Sequence, residues 1–437
     1  MTAIPAQASG FRPFRLVEVE ISQSLPEISA CDPETGRKYD RALLLARLHS
    51  QPIGILELAI EGNALAGAAY AQAVFDQLGA AINEHLRADG LAEITALSAG
   101  GIGSANQPGC LRARDAWLAT APRVSVIIAT HNRTDSLGEC LRAILASEYP
   151  DFEIVVVDNA PKNDDTLNYI RTHFDDAARV RYVREDRPGL GRAHNAGLRV
   201  VDTDIVVFTD DDVIVDRFWL LEMVKGFSMA DNVGCVTGLI IPVELETEAQ
   251  LWIEQYSGFS KGFKRRVFNL DTHRAPGMLY PYTAGVFGSG ASMAFTRRAL
   301  SEIGGFDSAL GAGTVALGGD DLDAFFQVVT KGYSLVYEPA AILRHSHRRE
   351  YAGLQRQAYG YGVGLTAYLT KTVMNEPQRL LELLIAFPSG IAHILSPTSP
   401  KNNRKQADYP RELNWLERKG MLHGPIAYWR SRRMTKE

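Results

Sequence analysis

The run VSVIIATHNR, Val124 to Arg133, decides how the rest of this chain is read. VSVIIAT is a nearly unbroken apolar stretch of strand length, and a strand that is apolar on both faces belongs inside a covered sheet. The pattern then repeats. SLGECLRAILASEY (136–149) has helical spacing, FEIVVVDNA (152–160) is a second buried strand, and DTLNYIRTHF (165–174) is a second helix. VRYVRE (180–185), GLGRAHNAGLRVV (189–201) and DIVVFTDDD (204–212) continue as strand, helix and strand. Apolar strands alternating with helices predict an α/β fold, a Rossmann-like and mostly parallel sheet with helices on both faces. Ligands of such sheets sit beyond the carboxyl ends of the strands. Those ends are polar here: Thr130-His131-Asn132-Arg133, Asp158-Asn159 and Asp210-Asp211-Asp212.

Outward from this region, 437 residues allow two to three domains. Residues 1–115 read as a small N-terminal α+β domain. RALLLARLH and IGILELAI form a hairpin around Ser50-Gln51-Pro52, and a helix runs from Ala66 to near Gly90. SAGGIGSANQPG is a loop; Pro108 and Gly109 stand where a dinucleotide-binding helix would have to run after Gly101-Ile102-Gly103. Residues 120–350 hold the α/β domain, and 351–437 form a C-terminal helical extension with a basic tail.

A net charge of -5 gives no overall drive toward nucleic acid. The tail after Pro400 is locally basic, from Lys401 through Lys436, and suits anionic lipid, an acidic partner or plain solvation. The four cysteines form no CxxC pair, so spacing indicates neither a thiolate zinc site nor a disulfide framework, and a reducing cytosol fits. MTAIPAQASGFRPFR lacks the apolar core of a signal peptide. LLELLIAFPSGIAHIL, Leu380 to Leu395, falls short of the roughly 18 apolar residues of a membrane span and is interrupted by Glu382 and Pro388. It reads as a core helix, with a membrane-surface helix as the alternative.

The aspartate triplet poses the chemical question. Two like charges about 4 Å apart repel by roughly 4 kcal/mol at an effective dielectric of 20, so water or a cation must offset them. Asp216 reads as the cap of the helix RFWLLEMVKGF. Asp210 and Asp212 alternate, and alternate residues of an extended segment point the same way. Two carboxylates on one side make a hard-oxygen site for Mg2+ or Mn2+. In GGDDLDAFFQVVTKGY, Gly318 to Tyr333, a helix starts near Asp320 or Asp321 with Asp323 in its first turn. One of these carboxylates is placed to act as a general base. In LRHSHRR, His345 and His347 alternate, and one of them is a candidate metal ligand. RPGLGRAHNAG, Arg187 to Gly197, sets glycines before a helix, where backbone amides and Arg192 approach phosphate.

The ordered set VSVIIATHNR, VVVDN, RPGLGRAHNAG, FTDDD, GSGASMAFTRRALSEIGGFD, GGDDLD and RHSHRR resembles the family 2 glycosyltransferases of GT-A type, over roughly Arg123 to Arg349. The resemblance implies an inverting transfer of a sugar from a nucleotide-diphosphate donor to an acceptor hydroxyl of a glycan or lipid-linked glycan, with Mn2+ or Mg2+ as cofactor. It assigns the nucleotide base to Thr130, Asn132, Arg133 and Asp158, and other donor contacts to Asn159, Arg192, Asn195, Asp210, Asp211, Ser289 and Gly290. It assigns the ion to Asp210, Asp212 and His345, with His347 in reserve. Asp321 is the implied base, and Asp320 stands where the family has Glu. His194 stands where the family often has Arg. Peripheral membrane contact through the C-terminal region is compatible with such an enzyme, placing it at the inner face of the cell membrane. Two rival functions are weighed. A sugar nucleotidyltransferase needs a Gly- and Arg-rich loop after the first strand, where THNRTDSLGE stands instead. A non-catalytic carbohydrate-binding protein would tolerate loss of the D-x-D pair or of the acid after Gly319, and both are present.

Overall fold

A computed structural model of the chain describes residues 11–103, 106–174, 179–256 and 259–435. The first ten residues of MTAIPAQASGFRPFR, part of the Gly-rich loop and Lys436 lie outside the described residues. The chain divides into two compact units. One contains the residues up to Asp115 with Glu244–Leu251 and His347–Tyr351; the other contains the remainder, including the C-terminal helices.

The N-terminal unit is built from β1 (Arg15–Glu20), β3 (Arg41–Leu48) and β4 (Gln51–Ala59), with the small ladder β2 (Ile28–Ser29) and β5 (Ala64–Leu65). β1 runs parallel to β3, and β3 and β4 form the antiparallel hairpin. α1 (Gly67–Ala88) closes the core with Val74, Ile82 and Leu86 against Val19, Leu44 and Leu56. The hairpin turns earlier than Ser50-Gln51-Pro52. Its two central residues are His49 and Ser50, both left-handed at φ 54 and 70, and Pro52 already lies in β4 opposite Arg47. α2 (Gly109–Leu118) follows the loop that holds Gly101. A Cβ on Gly101 would come within 1.9 Å of the Gln23 carbonyl oxygen, so this glycine serves backbone packing.

The second unit carries a nine-stranded sheet. Its strands are β6 (Val124–Thr130), β7 (Phe152–Asn159), β8 (Val180–Glu185), β9 (Ile205–Asp210), β10 (Val213–Val215), β11 (Val233–Pro242), β12 (Arg266–Phe268), β13 (Ser292–Thr296) and β14 (Ser334–His345). Their order is β10-β14-β11-β13-β9-β6-β7-β8, with β12 on β14. β8, β7, β6 and β9 are all parallel, as the unbroken apolar runs require. Beyond β9 the sheet is mixed: β13 is antiparallel to both neighbours, and β11 and β14 are parallel. The order 3-2-1-4 in the parallel half reverses direction between β6 and β9, which opens a crevice at their carboxyl ends. Helices α3 (Thr134–Leu145), α4 (Asp165–Phe174), α5 (Leu190–Leu198) and α6 (Trp219–Lys225) connect these strands, followed by α7 (Glu248–Gln255), α8 (Arg297–Ile303) and α9 (Asp320–Thr330). Val126, Ile128, Val156 and Val207 of the strands pack with Leu141, Ile144 and Trp219 of the helices. Asp216 accepts a hydrogen bond from the Phe218 amide (2.9 Å), but the residue flanking α6 is Phe218, so Asp216 shapes the preceding turn instead of capping the helix.

The C-terminal helices α10 (Tyr351–Asn375), α11 (Arg379–Leu395) and α12 (Arg411–Met434) complete this unit. α10 and α12 cross through glycines. A Cβ on Gly362 would lie 1.9 Å from the Glu417 carbonyl oxygen, and one on Gly424 would lie 2.0 Å from Thr366 Oγ1. α11 departs from the expected core helix. It runs straight through Pro388, and of its residues only Ala386 is buried. Leu381, Leu384, Ile385 and Phe387 face outward at 56–64% exposure. Among the described residues no helix is long and apolar enough to cross a membrane.

Candidate functional site

The sheet register assembles the site. Thr130 lies opposite Asp158, and Ala129 opposite Asp210, so the ends of β6, β7 and β9 meet at one level. The three aspartates then separate by direction. Asp211 turns inward, is 4% exposed, and accepts hydrogen bonds from Thr130 Oγ1 (2.6 Å) and Arg133 Nη1 (3.2 Å). Asp212 accepts a second bond from Arg133 (3.0 Å) and lies 3.4 Å from His345 Nε2. Pairing of Val213 with His345 across β10 and β14 brings that imidazole in, with the Phe259 ring stacked on it at 4.9 Å. Donor atoms of Asp210, Asp212 and His345 all lie within 4.8 Å of one another.

These residues fit a divalent cation. Burial, and then the charges of Asp212, Asp211, Asp320 and Asp321, push the Asp210 carboxyl well above the ordinary aspartate range. A proton or a cation relieves a buried carboxylate among like charges, and two oxygens with one imidazole suit Mn2+ or Mg2+. Thr209, next to Asp210, donates to the Ala291 carbonyl oxygen (2.7 Å), and the neighbouring Gly290 amide donates to Asp321 (2.9 Å), so one loop links the end of β9 to the start of α9. His347 belongs to the N-terminal unit, where its carbonyl oxygen accepts from Gln250 (3.4 Å).

α9 begins at Asp320 behind Gly319, whose φ of +86 and close approach to Gly364 (2.4 Å from its carbonyl oxygen to a Cβ) exclude a side chain. Asp321 Oδ2 accepts from the Gly290 amide (2.9 Å), and Oδ1 from the Leu322 amide (2.8 Å). This brings Gly290, and the loop that also holds Ser289, against the acid. Burial raises the Asp321 pKa, while those amides and the Lys261 charge pull it down. Asp320 is 4% exposed; burial first, then the Asp321 charge, pushes it up to about 7. Its Oδ2 has no hydrogen-bond partner and lies 3.8 Å from Nδ1 of His194. His194 is itself buried between Phe208 and Phe306, with its pKa pushed down to about 3, so a neutral ring fills the space below Asp320. Asp323 faces away and is ion-paired to Lys371 of α10.

On the β7 side, Asp158 is fully buried. Tyr182 donates to its Oδ2 (3.0 Å), whereas Oδ1 has no partner. Asn132 is exposed in a left-handed turn (φ 53), and its Oδ1 accepts from the Lys162 amide (3.2 Å). Two asparagines expected at the donor hold loops. Asn159 bonds the Arg187 carbonyl oxygen (2.9 Å) and the Gly189 amide (2.9 Å). Asn195 bonds the carbonyl oxygen and the amide of Phe306 (2.7 and 3.0 Å). Arg192 follows the Gly189–Gly191 turn with its Nε buried and unpartnered. Sequence reasoning missed Lys261, whose charge acts on Asp321 and whose own pKa burial lowers to about 8, and Tyr182, which orients Asp158. A lysine within SKGFKRR carries no signal that one member of the basic run turns inward.

The family model "Glycosyl transferase family 2" matches residues 125–304. The pre-mycofactocin glycosyltransferase of Mycobacterium tuberculosis is 25% identical over 276 residues, covering 62% of this chain and 52% of that protein. The glucosyl-dolichyl phosphate glucuronosyltransferase of Haloferax volcanii is 23% identical over 192 residues, 43% of this chain and 57% of that protein. The chain thus spans about half the length of these curated relatives. Among solved structures, the mannosyltransferase PcManGT from Pyrobaculum calidifontis, in complex with GDP-Man and Mn2+, is similar at a TM-score of 0.43 and 22% identity, covering 72% of this chain and 88% of that one. That likeness is too distant to carry an argument about ligands. The strand ends and the acidic loop after β9 both fall inside the match to the glycosyl transferase family 2 model.

Proposed function

We propose that the protein is an inverting, metal-dependent glycosyltransferase moving a sugar from a nucleotide-diphosphate donor to an acceptor hydroxyl. The observation that carries this reading is the Gly290-Ala291 loop, which bonds both Asp321 and Thr209, beside the donors of Asp210, Asp212 and His345. The unpartnered Asp158 Oδ1 is an acceptor for an N–H of the nucleobase. A divalent ion held by Asp210, Asp212 and His345 would supply charge stabilisation at the donor diphosphate. Asp321, fixed by the Gly290 and Leu322 amides, takes the proton of the acceptor hydroxyl. The acceptor oxygen bonds to the anomeric carbon as the bond to the diphosphate breaks, on the opposite face, so a single displacement inverts the centre and one base suffices.

The acceptor class is a glycan or lipid-linked glycan at an anionic membrane surface. The outward apolar face of α11 supports this, as does α12, which carries six Lys and Arg against two Glu and exposes Trp415, Leu422, Ile426 and Trp429. The test is a thermal-shift panel of nucleotide sugars with and without Mn2+, followed by an assay of nucleoside diphosphate release. A donor that raises Tm only with Mn2+ and turns over supports the reading. Failure of every nucleotide sugar to shift Tm with Mn2+ present, or full turnover by Asp321→Asn, overturns it.

A further inference from the structure

A second group of ligand-type side chains lies wholly in the N-terminal unit and takes no part in the chemistry above. His49 comes from the β3–β4 turn, His85 from the last turn of α1, Asp89 from the residue that ends that helix, and Cys110 from the first turn of α2. His49 Nδ1 is 3.1 Å from His85 Nε2 and 2.7 Å from Asp89 Oδ2. His85 Nε2 and Cys110 Sγ are each 3.1 Å from the same Asp89 oxygen, and 4.0 Å from one another.

Hydrogen bonding alone explains this group poorly. Three groups converge on one carboxylate oxygen, and two ring nitrogens approach so closely that only one can carry a proton on that side. A central cation lets all four present lone pairs. Bonds of about 2.0–2.3 Å to nitrogen, oxygen and sulfur place tetrahedral donors about 3.3–3.6 Å apart, and the observed separations bracket that range. The charges also close: one carboxylate, one thiolate and two neutral imidazoles balance a dication.

The surroundings hold the donors in place. The Glu20 carboxylate accepts the amides of His49 (2.9 Å) and Ser50 (2.8 Å), both in left-handed conformations where this turn ordinarily takes Asn-Gly. Such conformations in non-glycine residues persist where the surrounding structure enforces them. His85 and Asp89 are four residues apart and share one helix face. Asp89 Oδ1 accepts the Cys110 amide (2.8 Å), which orients the carboxylate and brings the thiol to it. His49 and Asp89 are 5% and 7% exposed, so two of the four donors are buried.

We propose that His49, His85, Asp89 and Cys110 bind a structural Zn2+ that joins the β3–β4 hairpin to α1 and α2. Four protein ligands leave no open position for substrate. The test uses the full chain, stripped with a chelator and titrated with Co2+ and Zn2+. The expected result is a single tight Co2+ site with the visible ligand-field bands of a tetrahedral complex and a near-ultraviolet thiolate charge-transfer band. Zn2+ displaces that ion and raises Tm. Cys110→Ser loses the charge-transfer band, whereas Asp212→Asn keeps it. A readout on the unsubstituted chain guards against misfolding of the variant: Zn2+ slows alkylation of Cys110, mapped by mass spectrometry, by about 10-fold or more, because a metal-bound thiolate is not available as a nucleophile. Absence of tight Co2+ binding, survival of the charge-transfer band in Cys110→Ser, or Cys110 alkylation indifferent to Zn2+ overturns the proposal.

Discussion

The strand-end hollow and the N-terminal quartet are built from overlapping residue types for different ends. The hollow gathers two carboxylates and one imidazole at the mouth of a crevice, with further acids on α9 close enough to raise the Asp210 pKa. The quartet gathers two imidazoles, a carboxylate and a thiol, and Asp89 orients its neighbours through hydrogen bonds on both oxygens. An incomplete oxygen-rich set suits an ion that shares its shell with a ligand and exchanges. A complete nitrogen- and sulfur-containing set suits an ion that stays. The lesson is that donor softness and the number of protein ligands, more than the presence of acids, separate a working site from a structural one.

The contrast can be broken or sharpened by experiment. The largest effect is expected from Asp321→Asn, which removes the proposed base: turnover falls by about 10²- to 10⁴-fold while donor binding, followed by thermal shift, is retained. Asp212→Asn removes one of three proposed ligands. It weakens Mn2+ activation by about 100-fold or more, measured as the Mn2+ concentration for half-maximal rate, and leaves Co2+ binding at the quartet unchanged. Glu20→Gln loosens the turn that presents His49, and Zn2+ affinity by competition with a chromophoric chelator drops about 10- to 100-fold with Mn2+ activation unaffected. If one substitution weakened both metals equally, the two sites would not be independent.

Next comes a pH effect at Asp320. Its folded pKa of about 7 stands above the unfolded 3.8, so the folded chain holds a proton that the unfolded chain releases. The resulting stability is complete below pH 3.8 and is lost as pH rises through 7. Asp320→Asn is neutral throughout, so in chelator the wild type loses stability relative to it between pH 5 and pH 8, by roughly 2–3 kcal/mol in denaturant melts. A flat difference would show that Asp320 is already ionised at low pH. The smallest effect is at the membrane: each of Arg418, Lys419 or Arg430 changed to Gln weakens binding to phosphatidylserine-containing vesicles by about 1 kcal/mol. No loss on any of these changes would remove α12 from the proposed contact.

Much of the sheet was readable from local pattern. Apolar runs such as VSVIIAT and FEIVVVDN cannot face water on either side, so alternation with helices implied the parallel half, and the polar residues at the strand ends marked the crevice. The mixed half was less readable, because β11 and β14 are apolar throughout whichever way a neighbour runs. α11 misled for a related reason: an apolar run states that water is unfavourable but not what will cover it.

By itself the sequence determined the strand–helix alternation, the D-x-D spacing and the acids that open α9, since these depend on periodicities of two and 3.6 residues that short segments carry within themselves. Only the tertiary structure decided that His345 stands beside Asp212, that Asn159 and Asn195 are engaged by loops, and that His49 and Cys110, far apart in the chain, meet in the N-terminal unit. Those outcomes depend on side-chain direction and on chain closure over long separations, where a single bond rotation or a one-residue shift in register reverses the result.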